Sequence, residues 1–352
     1  MNKKIITLLT LCILLIIGGI VLYLYFFRGE EKGINDAVNF DDKVSTPAPF
    51  FLTTMTHMES GFTDDTDEAV FDRHLEELRY AMDLADAYDA KLTIESEEPF
   101  AIANEKWGTN IMAEILERGH GVGTHCDIPP TPEMKGPKNV QELAAEMKER
   151  KELVDALVGA ENNYGCSGAG GMQDWVLGAT QAGFHYVDGF VGYHYLSMPL
   201  SARPEDWIDA YILESAFHFN VPYELEDRIY PRLLANALDF EEDKNGTVLA
   251  STGDMGRLAG IAEGAAYCHT NESCVLAKDD VDRLVEWLRF IDSWRDTNRV
   301  AKINMYFSAN DFVKDNEEVF TYFFSEMQKL QDEGVITWAT QREVYDAFME
   351  RQ

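Results

Sequence analysis

Apolar and polar positions follow two different periods along most of the chain. Short apolar runs such as FFLTTMTH alternate with longer segments whose apolar residues recur every three or four positions, as in FDRHLEELRYAMDLADAY. The first pattern is typical of buried β-strands and the second of amphipathic helices. The strands are predicted at 50–57, 91–95, 120–125, 184–188, 247–251, 302–307 and 334–338. The helices are predicted at 68–88, 107–118, 140–157, 172–181, 279–294 and 316–331, with one more helix at the end of the chain.

This order of elements indicates the fold class. Strands separated by helical segments of about 15 to 25 residues favour parallel βαβ units over a β-sandwich. Seven or eight such units in about 300 residues predict an α/β fold, a βα barrel that is incomplete or distorted. In such a barrel the functional side chains lie at the carboxyl ends of the strands.

The N-terminus departs from this alternation. Ile5–Phe27 is apolar apart from two threonines and two glycines, and a helix of this length reaches about 34 Å, enough to cross a bilayer. Two lysines precede it, which predicts a cytoplasmic N-terminus and a domain outside. A cleaved signal peptide is the alternative, but the long run ends in YLYFF, which favours an uncleaved anchor. We therefore expect an anchor at 1–27, a polar tether at 28–49 and the barrel at 50–352.

Composition narrows the range of partners. The 352 residues are 46% hydrophobic, as in a packed globular protein, and their net charge is -32. This charge repels phosphate backbones, so we expect no nucleic-acid partner, and it is also compatible with a solubility adaptation to salt.

Four cysteines follow the predicted anchor and would lie in an oxidising compartment. They allow three pairings. The short loop YCHTNESC could join Cys268 to Cys274, which would leave Cys126 to pair with Cys166. The alternative is four buried thiols.

Groups able to bind a metal ion end two of the predicted strands. His57 and Glu59 end the first, and His125 and Asp127 end the third at the same spacing. Residues two apart on a strand project to the same side, whereas Cys126 should point toward the adjacent layer. Imidazole together with carboxylate suits a divalent cation such as Zn²⁺ with an open position for water. The alternative for either histidine is a hydrogen-bonded side chain at a strand end.

Three segments resemble polysaccharide deacetylases, the NodB-homology or carbohydrate esterase 4 group. GHGVGTHCD at 119–127 is similar to the family's GHEIGNHT, and NNYGCSGAGGMQDWVLGATQAGFHYVDG at 162–189 is similar to its RPPYG…VL.AL.EAGF.YV segment. INMYFSANDF at 303–312, followed by GVITWATQREVYDAF, resembles its final strand and closing helix. The resemblance covers about 50–350. It implies a distorted (β/α)7 barrel that removes acetyl groups from extracellular glycans, using a divalent ion held by one Asp and two His and a second Asp as base.

Carried onto this sequence, the resemblance implies that His57 is the base and that Glu59, His125 and Asp127 hold the ion, expected to be Zn²⁺. The sequence departs from the family at two histidines, because Pro129 stands at the second His of His-x-x-x-His and Ser308 at the acid His. The segment Tyr164-Gly165-Cys166-Ser167 replaces the family's Arg-Pro-Tyr motif. Backbone N–H groups of 165–171 are candidates to hold the oxyanion.

Further residues are candidates for the site. Asp174 could orient a site histidine, or it could cap the helix that follows. Tyr193 and His194 fall in a predicted loop, and Asp254 either faces the mouth of the barrel or belongs to a turn. The expected substrate contacts are Glu95, Glu97, Tyr164, Ser167, Tyr193, His194, Asp254 and Ser308.

The sequence therefore predicts a membrane-anchored, extracytoplasmic, metal-dependent glycan deacetylase. Two alternatives stay open. Pro129 and Ser308 are compatible with a glycan-binding barrel that has lost catalysis. Glu95 and Glu97 could instead serve as the two carboxylates of a glycosidase, or they could support the metal ligands.

Overall fold

The computed structural model describes residues 46–59, 61–218, 225–262 and 275–352. The predicted anchor at 1–27 and nearly all of the tether lie outside these residues, as do Cys268 and Cys274. Within the described ranges, none of the helices combines the length and the apolar character that a membrane span requires.

Ten strands lie in the described part of the chain, and all their pairings are parallel except one. Their bounds are β1 (Phe50–Met58), β2 (Thr93–Ser96), β3 (Gly121–His125), β4 (Gly165–Ser167), β5 (Tyr186–Asp188), β6 (Arg232–Leu234), β7 (Val248–Ala250), β8 (Asp254–Arg257), β9 (Ala301–Tyr306) and β10 (Thr337–Trp338). They form one sheet in the order β6-β7-β5-β4-β3-β2-β1-β9-β8, and β10 pairs with β1. Among the described strands, only β6 and β7 run antiparallel.

Helices separate most of the parallel strands. The longer ones are α1 (Glu68–Asp86), α2 (Glu98–Lys106), α3 (Ile111–Glu117), α4 (Val140–Val158), α5 (Trp175–Ala182), α6 (Lys278–Trp294), α7 (Glu317–Asp332) and α8 (Gln341–Met349). The first is representative, because Asp67 caps it by accepting from Ala69 N and its buried residues Phe71, Leu75 and Leu78 recur at helical spacing. The predicted α/β class with parallel strands is thus confirmed.

The segment 248–257 connects the two ends of the parallel sheet. It contains β7, which pairs with β5, and then β8, which pairs with β9. The bend lies at Gly253, whose φ of +105° is unfavourable for other residues, and a Cβ there would lie 2.2 Å from the carbonyl oxygen of Lys302. The two halves of the parallel sheet therefore curve around a common interior.

A disulfide ties together two of the strands that end at the predicted site. Cys126 and Cys166 are bonded, with their Cα atoms 5.9 Å apart, and they join the end of β3 to β4. Both side chains lie in an apolar cluster with Trp175 and Val187. The expectation that Cys126 points into the adjacent layer, away from the His125 side of the strand, is confirmed.

Several boundaries differ from the sequence prediction. The predicted helix at 107–118 begins at Ile111, because Asn110 caps it there, and a separate helix α2 precedes it. The predicted helix at 172–181 begins at Trp175, one residue after its cap. The predicted strand at 334–338 is reduced to the two residues of β10, and β4, β6 and β8 were not predicted. All four strands have at most four residues, too few to leave a clear periodic pattern.

Candidate active site

The carboxyl ends of four neighbouring strands bring the predicted groups together. β1 to β4 are parallel, so these ends meet along one edge of the sheet. His57 pairs in register with Glu95, and His125 with Ser167. Glu97 is fixed beside the end of β1, because its N–H donates to the carbonyl oxygen of Met58 at 3.2 Å.

Two overlapping sets of side chains at this edge could hold a metal ion. One set is His57, Glu59 and His125, and the other is Glu59, Glu97, His125 and Asp127. Within each set, the ligating atoms all lie within 4.8 Å of one another. Nε2 of His125 is 3.6 Å from Oε2 of Glu59, the two groups common to both sets. Imidazole and carboxylate groups this close provide a donor set that fits a divalent cation.

Hydrogen bonds hold these two shared groups in place. Nδ1 of His125 lies 3.0 Å from Oγ of Ser167, which leaves Nε2 facing Glu59. The hydroxyl of Tyr306 donates to Oε1 of Glu59 at 3.1 Å. Tyr306 was not predicted, although it is the last residue of β9, which lies next to β1. Supporting contacts of this kind fix the orientation of metal ligands.

Glu59 and His125, the two groups shared by both sets, carry opposite charges. Burial alone would raise the pKa of Glu59, but its hydrogen bond to His125 and the nearby imidazoles lower that pKa to about 2. Burial alone would lower the pKa of His125, but the hydrogen bond to Glu59 and the charges of Glu59, Asp127 and Glu97 raise it to about 8. Without a cation, the pair is therefore an ionised carboxylate beside an imidazolium at neutral pH.

His57 lies between this pair and the interior of the sheet. Its ring stacks on that of His125, with centroids 3.8 Å apart and an interplanar angle of 15°. Nδ1 faces Glu59 at 3.9 Å, and Nε2 lies 3.1 Å from Oε2 of Glu95, though not at a hydrogen-bonding angle. Burial, together with the neighbouring His125, lowers the pKa of His57 to about 3. Its ring is therefore neutral at pH 7.

Glu95, one of the expected substrate contacts, belongs to the interior of the sheet. It has no exposed surface and lies behind His57, across Gly123, where a Cβ would be 3.1 Å from its Cγ. Burial raises its pKa to about 7, and nearby Ser167 opposes that shift. The alternation of side chains along β2 and the packing of β3 explain this inward position.

A buried polar network that the sequence analysis missed fills the interior below the site. Nζ of Lys302 donates to the carbonyl oxygen and Oγ of Ser251, at 2.7 and 2.9 Å, and to Oε1 of Gln341 at 3.0 Å. Asp188 is fully buried, and burial followed by the charge of Glu95 raises its pKa well above the ordinary value. The sequence pattern gave little sign of this network, because single polar residues within apolar strands resemble ordinary exceptions.

Asp254, another of the expected substrate contacts, belongs to the same interior. It is 2% exposed and begins β8. Its Oδ2 accepts from the N–H of Phe190 at 2.8 Å, and its Oδ1 accepts from Nδ2 of Asn304 at 2.6 Å. Both oxygens are therefore used to hold strands together.

Tyr193 approaches the site, but His194 lies behind it. Both are buried, in a stack that runs from Phe190 through His194 and Tyr193 to Phe217, with successive centroids 4.6, 4.7 and 4.7 Å apart. Burial and then the charges of Asp127, Glu59 and Asp254 raise the pKa of Tyr193 well above its usual value, as expected for a phenol that faces the acidic cluster. Burial lowers the pKa of His194 to about 3.

Three other predicted residues have different surroundings. Tyr164 precedes β4, at the opposite edge of the sheet, where the guanidinium of Arg342 lies 3.5 Å from its ring centroid. Asp174 caps α5 by accepting from Leu177 N and also accepts from Ala237 N, which favours capping over a catalytic role. The N–H of Ser308 donates to Asp311, whose carboxylate also pairs with Arg257. Arg257 is a cation near the site that the sequence analysis missed.

Comparison with known proteins adds evidence on the fold. No protein-family profile matches the sequence, and no curated protein resembles it closely enough to be matched. Among solved structures, the allantoinase PuuE aligns over 90% of this chain and 98% of its own, with a TM-score of 0.53 and 9% identity. A probable polysaccharide deacetylase from Pseudomonas aeruginosa PAO1 aligns over 86% and 92%, with a TM-score of 0.51 and 10% identity.

A third structure, a putative polysaccharide deacetylase from Mycobacterium smegmatis, aligns over 87% of this chain and 92% of its own. Its TM-score is 0.50 and its identity is 10%. At these identities the likeness is one of fold. The chain therefore has an α/β sheet of the kind found in polysaccharide deacetylases, as the sequence resemblance implied.

Proposed function

We propose that this protein is a metal-dependent hydrolase that removes acetyl groups from a glycan. One observation carries the proposal: Glu59, His125 and two further carboxylates converge beside His57 at the carboxyl edge of the parallel sheet. The similarity in fold to structures named as polysaccharide deacetylases supports the choice of substrate. The net charge of -32 argues against a strongly anionic polymer.

The donor set fits a divalent cation. Glu59, His125 and Asp127 would hold it, and Ser167 orients His125 so that Nε2 is the donor. A cation in this position supplies Lewis acidity toward an acyl carbonyl. The close approach of Gly168 to His125, where a Cβ would lie 3.0 Å from Cε1, brings the 165–171 loop against the site. Its backbone N–H groups are our candidates to stabilise the developing oxyanion.

His57 is the proposed general base. Its Nδ1 lies on the side of Glu59, so it takes the proton from the attacking water. The same nitrogen then returns that proton to the leaving amine or alcohol. Glu95 lies beside Nε2, 3.1 Å away on the interior side of the ring. No second histidine is needed in this scheme.

Acetate release from acetylated glycans tests the proposal. We expect release by the purified protein, loss of release with a chelator, and loss in His125→Ala. His185→Ala is the matched control, because His185 is exposed and stacks on Tyr164 at the opposite edge of the sheet. Equal release with and without chelator, or in His125→Ala and His185→Ala, would contradict the metal mechanism.

A glycan-binding protein without catalysis is the second candidate. Pro129 and Ser308 stand where the resemblance expects histidines, and the backbone of Ser308 is engaged by Asp311. This candidate predicts glycan affinity that survives chelation, with no acetate released. The glycosidase hypothesis loses support, because Glu95 has no exposed surface. A reducing-end assay on unacetylated polymer checks it directly.

We further propose that the domain lies outside the cytoplasm, attached through Ile5–Phe27. The apolar length of this segment and the lysines before it support an anchor, and the Cys126–Cys166 disulfide is typical of an oxidising compartment. Cell fractionation of the full chain tests this proposal. We expect the protein in the membrane pellet that resists alkali extraction, and we expect protease added from outside to reach the barrel. Recovery in the soluble fraction would contradict the anchor.

A further inference from the structure

The two sets of candidate ligands differ in whether His57 binds the ion together with His125. The geometry of the two histidine rings decides between the sets. A ring nitrogen binds a metal along its lone pair, in the plane of the ring and at about 2 Å. The rings of His57 and His125 lie face to face, with centroids 3.8 Å apart and planes within 15° of parallel. Their planes therefore do not meet near the rings, and an ion in the plane of one imidazole lies off the lone pairs of the other.

His125 is the imidazole placed to bind. Its Nδ1 contacts Ser167, and its Nε2 faces Glu59, a member of both sets. His57 instead has its Nε2 beside the buried Glu95. Excluding His57 leaves the second set, in which Glu97 and Asp127 join Glu59 and His125.

Glu97 is held where this set requires it. Its backbone N–H donates to the carbonyl oxygen of Met58, which places it beside the residue that follows β1, Glu59. Its charge also acts on His125, together with the charges of Glu59 and Asp127.

We propose that Glu97 is a fourth metal ligand and that the site is built for a hard divalent cation, Mn²⁺, rather than the Zn²⁺ expected from the sequence. This inference rests on the proposed metal-dependent function. Three carboxylates and one imidazole form a ligand set rich in oxygen and carrying three negative charges. Such sets suit Mn²⁺ and Mg²⁺, whereas additional imidazoles favour Zn²⁺. Because Zn²⁺ generally binds a given site more tightly than Mn²⁺, the quantity that matters is the ratio of the two dissociation constants.

Metal titration of the purified full chain tests the assignment without an activity readout. Mn²⁺ binding is followed by its electron paramagnetic resonance signal, and Zn²⁺ by competition against it. We expect Glu97→Gln to weaken Mn²⁺ binding about tenfold or more, as the loss of a charged ligand should. We expect Glu97→His, which exchanges an oxygen donor for a nitrogen donor, to shift the ratio about tenfold toward Zn²⁺. Glu98→Gln is the matched control, because Glu98 is the exposed neighbour on α2 and should leave both constants unchanged.

The outcomes separate this inference from the function on which it rests. His57→Ala should keep Mn²⁺ affinity, and a loss as large as that in His125→Ala would overturn the stacking argument. Wild-type Mn²⁺ affinity in Glu97→Gln, with the melting temperature of the metal-free protein unchanged, would show that Glu97 is not a ligand while leaving the hydrolase proposal intact. Absence of binding of either metal to the wild-type protein would instead refute the proposed function.

Discussion

Metal binding by this protein should expel a proton from His125. In the absence of a cation, burial lowers the pKa of His125, but the hydrogen bond to Glu59 and the surrounding carboxylates outweigh that effect and raise the pKa to about 8. An imidazole must be neutral to donate its lone pair to a metal. Because the raised pKa lies above neutrality, the cation has to displace a proton at pH 7, and this requirement disappears as the pH rises past 8.

The size of the effect follows from that pKa. Binding should release about 0.9 proton per ion at pH 7 and about 0.1 at pH 9. The apparent affinity should rise about tenfold per pH unit below pH 8 and level off above it. Glu59 should contribute no proton in this range, because its pKa of about 2 keeps it ionised throughout.

Isothermal titration calorimetry in buffers with different ionisation enthalpies measures the proton release directly. Glu95→Gln is the control, because Glu95 has a pKa near 7 and would titrate over the same range without being a ligand. We expect the variant to release as many protons as the wild type. Binding without proton release at pH 7, or with equal affinity at pH 6 and pH 8, would refute the reasoning, and release that vanishes in Glu95→Gln would assign the proton to Glu95 instead.

Three further predictions concern the residues around the site. Asp174→Ala should lower the free energy of unfolding by about 1 to 2 kcal/mol through loss of a helix cap, with unchanged metal affinity; a loss of metal binding in calorimetry would restore its catalytic interpretation. Replacing both Cys126 and Cys166 by Ser should cost about 4 kcal/mol in urea unfolding, because the disulfide closes a loop spanning 40 positions; a loss below about 1 kcal/mol would contradict this. Tyr306→Phe should weaken metal binding about tenfold by removing the hydrogen bond to Glu59, and unchanged affinity would show that this bond does not support the ligand.

The sequence predicted the groups at strand ends well, because their signal is local. His57 with Glu59, and His125 with Asp127, each stand at the end of an apolar run. Glu59 and Asp127 lie just past the ends of β1 and β3, so the two-residue alternation of a strand does not by itself place them. Parallel strands with helical connections then make their carboxyl ends meet at one edge, so the convergence followed from the alternation of elements. Ser167 was a candidate only through the family resemblance, because β4, which carries it, was not predicted as a strand.

The sequence did not show that the two acids near the end of β2, Glu95 and Glu97, have different surroundings. Glu95 and Glu97 share a two-residue spacing, yet Glu95 packs into the interior beside His57, whereas Glu97 lies past the end of β2 among the candidate ligands. The difference arises because β2 ends at Ser96 and the chain turns into α2. Neither the end of a short strand nor the turn after it leaves a periodic pattern.

By itself, then, the sequence determined the α/β class, the parallel pairing of strands and which strands end in imidazole or carboxylate, because hydrophobic period and local spacing are properties of adjacent residues. Only the tertiary structure decided that Tyr306 donates a hydrogen bond to Glu59 and that the carboxylate of Asp254 accepts hydrogen bonds from Phe190 and Asn304. It also decided that the rings of His57 and His125 stack. These contacts join residues 50 or more positions apart in the chain. Their distances and ring planes depend on how the strands curve around the interior, and no local pattern encodes that curvature.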